Sequence, residues 1–108
     1  MNTKQQPITI AREFARWAEK RFKRRKGQFA GNMNSRPEDF QNQYQVTIAA
    51  AYEASAGTEE SIKVAFGMAT RCPVRTARRK CDLGTDTSNK QFVKAKRCLL
   101  ELWNRRAK

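Results

Sequence analysis

EESIKVAFGMATRCPVRTARRKC, Glu59 to Cys81, holds two different kinds of helix back to back. Its first half opens on two carboxylates and carries Ile62, Ala65, Phe66 and Ala69 at spacings of three and four, the mark of an amphipathic helix. Thr58 precedes it as a cap, and Glu59 and Glu60 suit the positive end of a helix dipole. Cys72-Pro73 then signals a turn and a restart, because proline fits a first helical turn and biases the residue before it away from helix. In the second half Val74, Ala77 and Cys81 share one face, while Arg75, Arg78, Arg79 and Lys80 cover the rest, with Leu83-Gly84 as the stop. Helix, short turn and arginine-bearing helix follow the order of a helix-turn-helix at about 59–82, whose second helix enters the major groove. In that frame Arg75, Thr76, Arg78 and Arg79 face outward, and arginine is the usual reader of guanine. The turn lacks the usual glycine, and an arginine-rich helix packed on a bundle holds phosphates equally well without reading bases.

The same period continues in both directions. Pro7 and Thr9 open a basic N-terminal helix expected over 8–26, with Ile10, Phe14, Trp17 and Ala18 on one face, Phe22 continuing it and Gly27 stopping it. Residues 27–35 read as a loop. Ser35 and Glu38 form a capping-box pattern ahead of Phe40, Tyr44, Ile48, Ala51 and Tyr52. The alanine-rich segment TIAAAYEASA indicates close packing against a neighbour and ends at Gly57. Beyond the polar loop TDTSN, a last helix carries Phe92, Ala95, Leu99, Leu102 and Trp103, with Val93 and Leu100 widening its apolar face. So wide a face predicts a central position or a homodimer contact. No strand-type alternation and no repeat competes. The expectation is an all-α, single-domain bundle of about five helices over 1–108: the basic helix, the loop, and a helical bundle over 36–108.

Charge is the loudest global feature, with 23 Lys plus Arg against 10 Asp plus Glu, a formal +13. It is segregated: residues 1–34 carry +7, 35–70 carry −3, 71–82 carry +4 and 83–108 carry +5. Solubility alone requires no such placement, whereas a polyanionic partner rewards it. Lys20, Arg21, Lys23, Arg24, Arg25 and Lys26 put six cations into seven residues, a run whose self-repulsion a phosphate backbone would relieve. Arg71, Arg75, Arg78, Arg79 and Lys80 make a second cluster. Lys90, Lys94, Arg97 and Arg105 line a stripe on the last helix, where pairing of Glu101 with Arg105 gives an ordinary solvated face as the alternative.

Several chemistries are excluded or weakened. Histidine is absent, which removes the commonest general base and any Cys–His or Ser–His pairing. Cys72, Cys81 and Cys98 match no common zinc spacing. A helix over 73–81 would hold its ends about 13 Å apart, beyond the reach of a disulfide, so the cysteines read as buried fillers in a reducing compartment. Glu38-Asp39 and Glu59-Glu60 lie at helix starts, where dipole complementarity accounts for them, and there is no glycine-rich phosphate loop. No apolar run approaches the roughly 18 residues of a membrane span, and no apolar signal segment opens the chain. The reading is a non-enzymatic, cytoplasmic protein without metal or cofactor.

A nucleic-acid partner follows from the charge. Phe14, Trp17, Tyr44 and Trp103 fall on inward faces, leaving Phe22 and Phe29 as candidate exposed rings, so a duplex suits better than a stacked single strand. The expectation is double-stranded DNA, bound by a regulator or accessory factor, with structured RNA as the near competitor. An acidic protein surface is the alternative partner. Membrane binding through the first helix ranks below it, because a small core needs those rings.

Overall fold

A computed structural model of the chain describes residues 6–31, 37–82 and 90–106. Five helices lie there, α1 (Gln6–Arg21), α2 (Glu38–Ser55), α3 (Glu59–Ala65), α4 (Cys72–Asp82) and α5 (Lys90–Arg105), with no strand among the described residues. The all-α expectation therefore holds. Among the described residues no helix is long and apolar enough to cross a membrane.

The centre of the fold is α2, which packs against all four other helices. Every residue from Tyr44 to Ala51 is buried, so this helix has no outer face over more than two turns. Small side chains make that arrangement feasible, since alanine lets neighbouring backbones approach closely. The central position, one of the two readings of the last helix's wide face, thus belongs to α2. On α5 only Lys96, Leu99 and Trp103 are buried, while Phe92, Val93, Leu100 and Leu102 are half-buried. Lys96 takes an inward place where Ala95 was expected, because its ammonium reaches Glu53 of α2 at 2.9 Å while its stem packs. Trp103 joins α5 to α1, its ring 4.8 Å from Phe14 and 5.4 Å from Trp17.

Two helix ends differ from expectation. The N-terminal helix stops at Arg21 and not near Gly27. Lys23 adopts a left-handed φ of 59°, its amide bonding Lys20 O and that of Arg24 bonding Glu19 O. These two bonds close a Schellman turn, which ends the repulsion of stacking six cations on one helix. The third helix stops at Ala65, since Gly67 (φ 66°) closes the same kind of turn onto Val64 and Lys63. Met68 is therefore the buried residue and Ala69 is exposed. At the start of α3 Thr58 caps as predicted, in a reciprocal box with Ser61. Ser35 lies outside the described residues. Leu83-Gly84 and the loop TDTSN lie outside them too. Pro37 occupies the N-cap of α2 without a side-chain cap.

The α2–α3 junction gives opposed predictions at adjacent positions. Ala56 closes another Schellman turn at φ 51°, a conformation that costs an L-residue about 1–2 kcal/mol. Ala56→Gly should raise stability by about 0.5–1 kcal/mol after the added chain entropy of glycine. A Cβ at Gly57 would stand 2.4 Å from Ser61 Oγ and 3.1 Å from Pro7 Cβ, so Gly57→Ala displaces the cap of α3. It should cost about 2 kcal/mol. Urea unfolding of both variants checks the pair.

Candidate nucleic-acid interface

The cationic run is a turn held open to solvent by a buried carboxylate behind it. Glu19 is 1% exposed. Its Oε2 accepts the Phe29 amide at 2.8 Å, and its Oε1 lies 3.1 Å from Arg16 Nε. Phe29, a candidate exposed ring, is wholly buried: it stacks on Tyr44 at 5.5 Å and meets Phe40 and Phe22 edge-on. The reason is chain reversal at Lys23, which folds the segment back onto α2, where Gly31 donates to Phe66 O and accepts from the Tyr44 hydroxyl. Phe22 is half-buried.

With its interior fixed, the turn presents its charges outward. Lys20, Arg21, Lys23, Arg25 and Lys26 are exposed and form no ion pair among the described residues. Arg24 is the exception. Its Nε donates to Gln43 at 2.9 Å, its NH2 lies 3.4 Å from Asp39, and the guanidinium sits 5.0 Å from the Phe40 ring. Arg24 therefore moors the turn to the N-terminal end of α2.

The arginines of α4 are arranged differently. Val74, Ala77 and Cys81 are fully buried as predicted. Arg75 Nε reaches Glu59 Oε1 at 3.0 Å, and Arg78 NH1 reaches Oε2 of the same carboxylate at 3.2 Å. Arg78 also lies over the Tyr52 ring at 4.1 Å, and Arg71 stands 4.0 Å from Glu60. Lys80 donates to Gln45 and lies 5.1 Å from the Phe92 ring. Thr76 and Arg79 remain exposed, Arg79 without an ion pair among the described residues. The connection between α3 and α4 runs from 66 to 71, longer than the 3–4-residue turn usual in a helix-turn-helix.

On α5, Lys90, Lys94, Arg97 and Arg105 form the exposed stripe read from their spacing. Glu101 stands within that stripe but forms no ion pair with Arg105. Cys81 is buried, but Cys72 and Cys98 are exposed; all three are free thiols, which corrects the expectation of three buried fillers. Charged neighbours at positions 71, 75, 94 and 97 keep the helix faces of those two cysteines in water. Among the described residues no cluster of His, Cys, Asp or Glu could hold a metal ion.

Sequence reading therefore located the cations, but it missed which of them are neutralised. Glu59 and Glu60 were legible as dipole-complementing residues, and their second role across the turn was visible only as the acidic segment preceding a basic one. No protein-family model matches the chain, and no curated sequence or solved structure matches it either.

Two predictions follow from this geometry. Glu19→Ala removes a charged hydrogen bond and orphans a buried amide, so it should cost about 3 kcal/mol and speed hydrogen exchange at the Phe29 amide. The Glu59 carboxyl is held below its usual 4.5, first by the hydrogen bond from Arg75 and then by the charges of Arg75 and Arg78, against the opposing effect of partial burial. Its folded value lies below its unfolded one. The stability it contributes is thus complete above 4.5 and is lost as pH falls through the lowered folded value. An NMR titration of the Glu59 side chain should show that lowered midpoint, and Arg75→Ala should raise it toward the ordinary one, with Arg78 keeping part of the lowering.

Proposed function

We propose that this is a non-enzymatic nucleic-acid-binding protein that grips a duplex, DNA foremost, by its phosphate backbone. The observation that carries the reading is the turn after α1. Five exposed cations, Lys20 and Arg21 at the end of α1 and Lys23, Arg25 and Lys26 just after it, stand over the buried Glu19–Phe29 hydrogen bond with no carboxylate paired to them among the described residues. Like charges held together this way repel one another, and phosphates relieve the repulsion while releasing counterions. The stripe Lys90, Lys94 and Arg97, with Thr76 and Arg79, supplies further phosphate contacts in this reading.

The aromatic side chains favour a duplex over a single strand. Every aromatic residue among those described is buried or half-buried, and Val64 is the one large hydrophobic side chain there that is exposed. Stacking of splayed bases needs open rings. Phosphate contacts position a protein without reading sequence, so weak sequence preference belongs to the proposal.

Titration of duplex DNA, duplex RNA and single strands across a salt series tests it. Six to ten phosphate contacts predict an affinity loss of roughly 10³ to 10⁵ between 50 and 200 mM salt. The triple variant Lys23→Gly, Arg25→Ala, Lys26→Ala should flatten the log–log slope by about 2.7 units, with glycine chosen to suit the left-handed backbone at 23. Absence of binding to any nucleic acid at low salt would overturn the reading in favour of an acidic protein partner.

A further inference from the structure

Two carboxylates on α3 pair with arginines on α4 and just before it. Glu59 has a guanidinium on each oxygen, Arg75 at 3.0 Å and Arg78 at 3.2 Å. Glu60 takes Lys63 at 3.2 Å and stands 4.0 Å from Arg71. An acceptor pair flanked by two guanidinium donors is also how arginines hold a phosphodiester. The same residues, Glu60, Lys63, Arg71 and Arg75, line a shallow cleft with Thr70 and Cys72.

Exposure decides what these pairs are for. Arg71 and Arg75 are 53% and 54% exposed, and Glu60 is 56% exposed. Glu59 is 21% exposed, but its partner Arg75 and the Glu60–Arg71 pair meet in water, where ion pairs add too little stability for the fold to require them. They are correspondingly easy to exchange for another anion. Arg78 is the fixed member, held over Tyr52, so the cluster keeps its position when Glu59 is displaced.

The cluster is also spatially separate from the cationic turn. Arg24 moors the turn at Asp39 and Gln43, whereas Arg78 packs on Tyr52 near the other end of α2. At 1.5 Å per residue those points are roughly 14–20 Å apart along the helix axis. A polyanion can thus engage the turn while α4 is still held by α3.

We propose that Glu59 and Glu60 are internal phosphate mimics that hold the arginine face of α4 closed in the free protein, making that face a second, conditional phosphodiester contact. The inference rests on the nucleic-acid reading above. A duplex already held at the turn raises the local phosphate concentration at α4, and its phosphates then replace the two carboxylates. Sequences and salt conditions that bind weakly at the turn leave α4 closed.

The test compares wild type, Glu59→Gln, Glu59→Asp and Glu60→Gln for binding to a fluorescent 20-base-pair duplex across a salt series. Circular dichroism melts verify folding. Freeing two arginines adds about two phosphate contacts, so Glu59→Gln should bind more tightly at low salt. Its affinity loss between 50 and 200 mM should exceed that of wild type roughly tenfold. Glu59→Asp keeps the charge and should follow wild type, and Arg75→Ala with Arg78→Ala should abolish the gain. If wild type binds and Glu59→Gln has the same affinity and slope, the gate is overturned while binding at the turn stands. If neither wild type nor any variant binds at low salt, the nucleic-acid reading falls and the gate with it. Should Glu59→Gln fail to fold, Glu60→Gln decides: tighter binding supports the gate and unchanged binding overturns it.

Discussion

Complete burial of α2 from Tyr44 to Ala51 is the constraint on which the rest of the domain depends. A helix without a solvent face in mid-length must be apolar, small or hydrogen-bonded on every side there: Val46, Ile48 and three consecutive alanines meet that demand, and buried Gln45 accepts from Lys80. The four other helices then surround it, each contributing one face to the core. Among the described residues Lys96 is the one buried basic side chain; the others lie on the outer faces of those helices and on the turns beside them. A strongly cationic exterior is thus a consequence of how the core is built, although its division into separate surfaces is not.

That division comes from the carboxylates. Glu19 is spent inside, where it anchors Phe29 and lets the segment after α1 fold back on α2. Asp39 and Glu53 each tie one cation to α2, Arg24 at the start and Lys96 near the end. Glu59 and Glu60 cover α4. With the acids placed this way, the turn at 20–26 and the stripe on α5 are left with their charges outward, while Arg75 and Arg78 of α4 are met by α3 and Arg79 stays open. The domain therefore presents open cation surfaces together with one that is internally neutralised.

Much of this was legible from residue spacing. Helix number and order, the Thr58 cap, the buried face of Val74, Ala77 and Cys81, and the exposed stripe on α5 all follow from period and local chemistry. Errors arose where a distant residue overrode the local pattern. Phe29 sits among polar and glycine residues that read as an exposed loop, yet Tyr44 and Phe40 give its ring a stacking site some residues away. Lys96 reads as a surface lysine until Glu53 supplies a partner on α2. The run at 20–26 continues a helical pattern, but nothing local reveals the left-handed turn at Lys23.

The sequence by itself determined the fold class and the positive exterior, because apolar period and net charge are properties of the chain that no packing arrangement can alter. Only the tertiary structure decided which cations remain unpaired. Charge neutralisation acts across a few ångströms of space, and the partners concerned, Glu59 with Arg75 and Arg78, Asp39 with Arg24 and Glu53 with Lys96, stand 15 to 43 residues apart in the chain.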